Sequence, residues 1–384
     1  MNSHSIFRTV IRSIVLALFI FGSYAAAGGI PRKIVVFKPD FNNPAAQDAL
    51  LKQDGATPIK PLRIVNGFAV YLPEAAQNAL LGGDGDKILR IDDDIILHGL
   101  GKPTPPPPQP AQELTWNVQM IHADLVWPET NGTMVNVAVV DTGGDLSHPD
   151  LVNNIKGGYN AINPHKTPED DNGHGSHLSG IIAAANNTIG VIGVSPNVNL
   201  YEVKVLNQDN AGNLSDMLDG MQWCIDNHMQ VVNMSFGSTT YIQSMADAVS
   251  AMHAAGIVMV AAAGNNGGSG GAMLYPAKNP LTIAVSSVDI NGNFSTSSSY
   301  GPEVDLTAPG VNIYSTYLND SYTYKSGTSM ATPHVTAAAA LVLSVFPNLT
   351  PDEVKAKLQS TAEDLGLPSD EEGAGLVRPD LAVQ

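Results

Sequence analysis

Four short segments of the chain carry side chains that together could activate a hydroxyl and attack a carbonyl. Asp141 follows the apolar run at residues 135–140 and opens the turn Asp-Thr-Gly-Gly, where a strand delivers a side chain into a cleft. On its own it would more readily be read as an ordinary turn aspartate. Asn-Gly-His-Gly-Ser-His at 172–177 precedes an apolar helical stretch, so His174 projects from near a helix start. His174 and His177 also invite a metal reading, but no acidic residue or third histidine lies at zinc spacing on that helix. Gly-Thr-Ser-Met-Ala-Thr-Pro-His at 327–334 runs into a long Ala/Leu/Val helix and puts Ser329 at the N-terminus, where free N–H groups and the helix dipole favour developing negative charge. Pro333 has no N–H to give the carbonyl four residues back, so the helix gives up its bond at Ser329. Ala-Ala-Ala-Gly-Asn at 261–265 ends a buried strand with an amide, Asn265, able to donate to an oxyanion without titrating near neutral pH. Each segment alone is ambiguous, and their joint occurrence points to serine-based nucleophilic catalysis.

These side chains need a scaffold that gathers strand ends. Apolar strand-like runs at 135–140, 200–205, 231–234, 257–262 and 281–285 alternate with helical stretches. Buried β-branched runs separated by helices predict an α/β fold with a doubly wound, mainly parallel sheet, whose ligands gather at the strands' carboxyl ends. The run PTPPPPQP at 103–110 is an extended spacer and marks a domain boundary. Ahead of it, strand-like runs at 33–38, 67–72 and 87–91 and helical runs at 44–54 and 74–81 predict a small α+β unit.

The 384 residues, 43% hydrophobic and 14% charged, can bury a substantial core. The net charge of −17 arises beyond the spacer. It disfavours nucleic acid and anionic membranes as partners and is compatible with cation binding. Cys224 is the only cysteine, so no internal disulfide can form, and its apolar helical surroundings predict a buried structural thiol and not a nucleophile. Basic His4, Arg8 and Arg12, an apolar run at 14–21 and small residues Ala25, Ala26 and Ala27 make a secretory signal layout with cleavage after Ala27. That apolar run is shorter than the roughly 20 residues a bilayer requires, and no later stretch is expected to span. The mature product is expected to be soluble, extracellular and monomeric.

The segments VAVVDTGGDLSHPDL, NGHGSHLSGIIAA, VVNMSFG, VMVAAAGNNG and GTSMATPHV resemble the successive motifs of subtilisin-like serine peptidases, over roughly residues 111–384. The resemblance implies an endopeptidase acting on proteins and peptides through an acyl-enzyme. Ser329 would be the nucleophile, His174 the general base and then acid, Asp141 the group that orients the imidazole, and Asn265 with the Ser329 N–H the oxyanion hole. His177 and His334 match non-catalytic histidines, Ser176 stands where the family usually has threonine, and Met330 beside the nucleophile predicts inactivation by peroxide. The resemblance also implies a Ca2+ loop. Asp150 would give carboxylate oxygens, Gln112 and Asn187 side-chain carbonyls, and Ala185, Ile189 and Val191 main-chain carbonyls, a hard-oxygen set. Ser235, Phe236 and Gly237 would pair with extended substrate, and Ala262 to Gly264 would form the other wall of an apolar primary pocket with Leu274 as a raised floor.

The implied organisation is a signal peptide at 1–27, an inhibitor-type propeptide at 28–100, a Pro-rich linker at 101–111 and the catalytic domain at 112–384. The propeptide would serve as intramolecular chaperone and inhibitor and be removed by self-processing after Leu100 or later. A serine esterase is disfavoured because no Gly-x-Ser-x-Gly elbow surrounds Ser329, and a silent calcium-binding scaffold because all four site residues are present.

Overall fold

The β-branched runs without polar alternation form the middle of a seven-stranded sheet, as expected for strands buried on both faces. The computed structural model describes residues 30–99, 102–103 and 111–384. The seven strands, all parallel, lie in the order Leu306–Pro309, Ile283–Val288, Val258–Ala262, Val231–Met234, Asn136–Asp141, Asn199–Lys204 and Ile155–Asn160. Alternate residues of one strand feed opposite faces. Val137 and Val139 join a core with the helices His174–Ala183 and Thr328–Val345. Ala138 and Val140 join a second core with the helices Leu214–Asp226 and Gln243–Ala254. The sheet is therefore doubly wound. Its strand order reverses between Asn136–Asp141 and Val231–Met234, the kind of crevice where such sheets bind ligands.

The central helix Thr328–Val345 corrects the expectation that nothing beyond the leader is long and apolar enough to span a bilayer. It is 18 residues long and apolar enough by composition, yet 89% of it is buried inside the protein. Ala337 to Ala340 are fully buried, which lets the helix lie close against the sheet.

The N-terminal unit is a β-α-β-β-α-β arrangement. Its antiparallel sheet has the order Thr57–Leu62, Gly67–Tyr71, Arg32–Phe37, Ile88–Asp93, with helices Pro44–Gln53 and Glu74–Gly83. The strand Thr57–Leu62 was not legible from the sequence. It contains Pro58 and Pro61 and lies at the sheet edge, the position that tolerates missing N–H donors. One face of this sheet packs its own helices through Phe37, Leu51, Phe68 and Leu80. The other contributes Ile34, Val36, Leu62 and Ala69 to the second core of the large domain. Ion pairs rim this junction: Lys60 with Asp216 at 2.8 Å, Arg90 with Asp247 at 2.5 Å, and Arg63 with Asp226.

Beyond the small unit the chain enters the large domain as a strand. Ile96–Gly99 is the middle member of a three-stranded antiparallel sheet, flanked by Ala211–Asn213 and Phe236–Gly237. Lys102–Pro103 then pairs antiparallel with the end of Ser321–Ser326. The linker thus begins as a paired strand and not as a free spacer, because Pro103 sits where a short edge pairing tolerates it. The leader at 1–27, the Leu100–Gly101 bond and residues 104–110 lie outside the described residues.

Candidate active site

Asp141 is the last residue of its strand and is fully buried. Its Oδ1 accepts from the Thr142 N–H at 2.8 Å and lies 2.7 Å from His174 Nδ1. His174 is the first residue of its helix, and the Asp141 turn is fastened to that helix by Thr142 Oγ1, which accepts from Gly175 N–H at 2.8 Å. A side chain at 175 could not fit, since its Cβ would fall 2.0 Å from the Gly143 carbonyl oxygen. Asp170 braces the other side of the helix start. Its Oδ1 accepts from the N–H groups of Asn172 and Gly173, and its Oδ2 from the N–H and the hydroxyl of Ser176, the latter at 2.7 Å. The hydroxyl at 176 is thus what this position uses, whether serine or threonine supplies it.

Ser329 is fully buried in the first turn of the central helix, which Gly327 begins at φ +143°, a conformation glycine adopts without strain. Its Oγ donates to the Ser235 carbonyl at 3.3 Å. The carbonyl released by Pro333 finds another donor, Ser235 Oγ, at 3.1 Å. Ser235 Oγ in turn accepts from Asn233 Nδ2 at 3.0 Å, and Asn233 Oδ1 accepts from Thr336 Oγ1 at 2.9 Å. A buried chain of hydrogen bonds therefore holds the strand Val231–Met234 and the Ser329 helix in register.

Asn265 Oδ1 accepts from Thr328 N–H at 2.9 Å and from Thr328 Oγ1 at 3.1 Å. This fixes the amide so that Nδ2 is its free donor end, without a hydrogen-bond partner among the described residues. Nδ2 lies against Gly327, 3.0 Å from where a Cβ at 327 would stand.

The two other motif histidines are committed elsewhere. His177 Nε2 shares its proton between the carbonyls of Ile313 and Thr323, both at 3.1 Å, and burial pushes its pKa well down. His334 donates from Nδ1 to the Met330 carbonyl at 2.8 Å and accepts at Nε2 from Asn117, and burial lowers its pKa to about 4. Both are neutral structural groups. Cys224 is fully buried, which pushes its thiol pKa up. Met330 is fully buried beside Ser329.

Phe236 and Gly237 pair with Gly99 and His98 in this chain. The opposite edge, Ala211–Asn213, pairs with His98, Leu97 and Ile96 and was missed. Its only sequence signal is the turn-rich run Asn-Gln-Asp-Asn-Ala-Gly-Asn at 207–213. Ala262 closes its strand, and Leu274, 5% exposed, lies between two glycines. A Cβ on Gly237 would come within 2.8 Å of Leu274 Cβ, and one on Gly264 within 2.8 Å of Leu274 Cγ.

The six residues of the expected cation loop also converge. Gln112 Nε2 donates to the Ala185 carbonyl at 3.0 Å and Asn187 Nδ2 to Asp150 Oδ1 at 2.6 Å. Val191 N–H and Tyr322 OH reach Asp150 Oδ2 at 3.1 and 2.7 Å, and Ile189 N–H reaches Asn187 Oδ1 at 2.7 Å. Among the described residues no cluster of three or more His, Cys, Asp or Glu side chains could hold a metal. This loop has one carboxylate and otherwise neutral oxygens.

A carboxylate–imidazole pair and a helix-start serine, gathered at the carboxyl ends of a doubly wound sheet, define a serine hydrolase of the α/β class. Residues 132–376 match the subtilase family. The chain is 44% identical over 277 residues, 71% of its length, to the whole of subtilisin DY from Bacillus licheniformis. It is 39% identical over 357 residues to subtilisin NAT from Bacillus subtilis subsp. natto, covering 91% of this chain and 90% of that protein. A thermostable alkaline protease from Halalkalibacterium halodurans is 44% identical over 275 residues, covering 71% of this chain and 74% of the relative. The chain belongs to the subtilase family and is a serine endopeptidase.

Proposed function

We propose that the chain is the precursor of a secreted endopeptidase that cuts itself free of its N-terminal unit. Ser329 attacks the scissile carbonyl, His174 takes its proton and later gives it to the leaving amine, and Asp141 holds the imidazole through Nδ1 and stabilises its charged form. The oxyanion is met by the Ser329 N–H at the helix start and by Asn265 Nδ2, whose amide is oriented by its bonds to Thr328.

The observation that carries this reading is the path of the chain itself. The strand Ile96–Gly99 lies between two cleft edges, and Lys102–Pro103 pairs with a strand ending three residues before Ser329. The Ser235 carbonyl, next to the edge Phe236–Gly237, accepts from Ser329 Oγ, so the segments 96–99 and 102–103 each pair with a strand that ends close to Ser329 in the chain or through this bond. The N-terminal unit thus acts as tethered substrate, inhibitor and template for folding. Leu274, set between Gly237 and Gly264, makes the primary pocket shallow and favours Leu or Met over aromatic side chains.

The loop around Asp150 suits calcium. Its donors are hard oxygens, and turning the amides of Gln112 and Asn187 over would present their carbonyls beside those of Ala185, Ile189 and Val191. Bound there, calcium would pin Asp150 to the mature domain's first residues and supply stability that a chain with one cysteine cannot draw from an internal disulfide. Its role is structural, and no catalytic step uses it.

The test is intact mass and N-terminal sequencing of wild type beside Ser329→Ala, each with calcium or chelator. Wild type is expected to lose its first hundred or so residues, Ser329→Ala to stay uncut, and chelator to lower the melting temperature. Two uncut proteins would overturn the reading.

A further inference from the structure

Lys325 is a buried cation that the catalytic reading leaves unused. It is 3% exposed, and its Nζ sits 5.1 Å from the centre of the Tyr317 ring. Among the described residues it forms no hydrogen bond or ion pair, and burial lowers its pKa below the usual lysine value. The carboxylates whose fields reach it, Asp170 and Asp141, are committed. Asp170 spends both oxygens on the start of the His174 helix, and Asp141 faces His174. A buried ammonium that no carboxylate pairs directly is unfavourable, and a carboxylate brought to it would relieve that cost.

The register shows where that anion would come from. Lys325 lies directly opposite Pro103, and Ser326 opposite Lys102, on a strand that ends three residues before Ser329. Opposed residues of an antiparallel pair share a face, with Cβ atoms about 5 Å apart. A substrate threaded as this chain is would place its third residue past the scissile bond against Lys325. The chain's own residue there is proline, which offers no charge.

We propose that Lys325 is a specificity-determining residue on the leaving-group side, selecting protein substrates with an aspartate or glutamate at the third position beyond the scissile bond. Tyr317 completes the subsite as the apolar wall that keeps the ammonium partly dehydrated, which strengthens its attraction for an incoming carboxylate. The inference rests on the proposed peptidase reading and on the threading of residues 96–103.

The experiment uses the matured enzyme and three internally quenched peptides, identical except for Asp, Ala or Lys at that third position, with the cut site checked by mass. At low salt the wild-type kcat/KM for the Asp peptide is expected to exceed that for the Lys peptide by about tenfold, and the ratio to shrink at high salt. The ratio is expected to approach one in Lys325→Gln and to invert in Lys325→Glu. A wild-type ratio near one, or one that persists in Lys325→Gln, overturns the proposal while the peptidase reading stands. Failure to cut any of the three peptides sinks both. The salt series on wild type alone decides the matter if the variants do not mature.

Discussion

At the scale of single residues the site depends on side chains that brace one another. Asn265 uses Oδ1 to hold Thr328 and leaves Nδ2 as the donor proposed for the substrate oxygen. Asn265→Ala is therefore expected to lower kcat about 100- to 1,000-fold with little change in KM, a loss of the size already known for this donor in subtilisins. Steady-state kinetics on a small peptide substrate checks this, and a loss confined to KM would remove Asn265 from the transition state. Asp141, His174, Asn265 and Ser329 were legible in the sequence because each sits at a strand end or helix start marked by glycines. The brace from Asp170 and the bond from Ser235 Oγ to the Ser329 carbonyl were not, since they join residues far apart in the chain. The freed carbonyl could be foreseen from Pro333, but its new donor could not.

Among the elements, the central strands announced themselves by β-branched runs, whereas both edges of the seven-stranded sheet were missed. Ile155–Asn160 carries two glycines and Leu306–Pro309 ends in proline, so neither resembles an isolated strand, and only pairing with a neighbour makes them strands. The strand Asn199–Lys204 holds a residue that its packing makes costly. Glu202 is fully buried, receives Ser179 Oγ at 2.6 Å from the His174 helix and has Oε2 without a hydrogen-bond partner among the described residues. Burial raises its pKa to about 8, with the negative charges of Asp170, Asp141 and Glu169 adding to the shift. A carboxyl whose folded pKa lies above its unfolded value gives most stability at low pH and loses it as pH rises to about 8. Glu202→Gln, made in the uncut Ser329→Ala protein, is accordingly expected to raise the melting temperature more at pH 9 than at pH 5. Equal shifts at both values would mean that Glu202 titrates normally.

For the whole molecule, charge is divided between its parts. The small unit presents Lys60, Arg63 and Arg90, and the large domain meets them with Asp216, Asp219, Asp226 and Asp247. Such pairs at a partly exposed rim contribute roughly 0.2–1 kcal/mol each and weaken with salt, while the apolar face beneath does not. Once the chain is cut, activity is expected to appear sooner at high ionic strength, as followed by hydrolysis of a peptide while the precursor matures. An onset independent of salt would leave the apolar face as the only hold. If the N-terminal unit leaves as proposed, the two backbones that flank Ile96–Gly99 are uncovered, and open strand edges invite other chains to pair and aggregate. Here the uncovered strands are short, three residues at Ala211–Asn213 and two at Phe236–Gly237. On the proposed reading such edges would grip a passing peptide long enough for it to be cut, yet they are too brief to seed a growing ladder of copies.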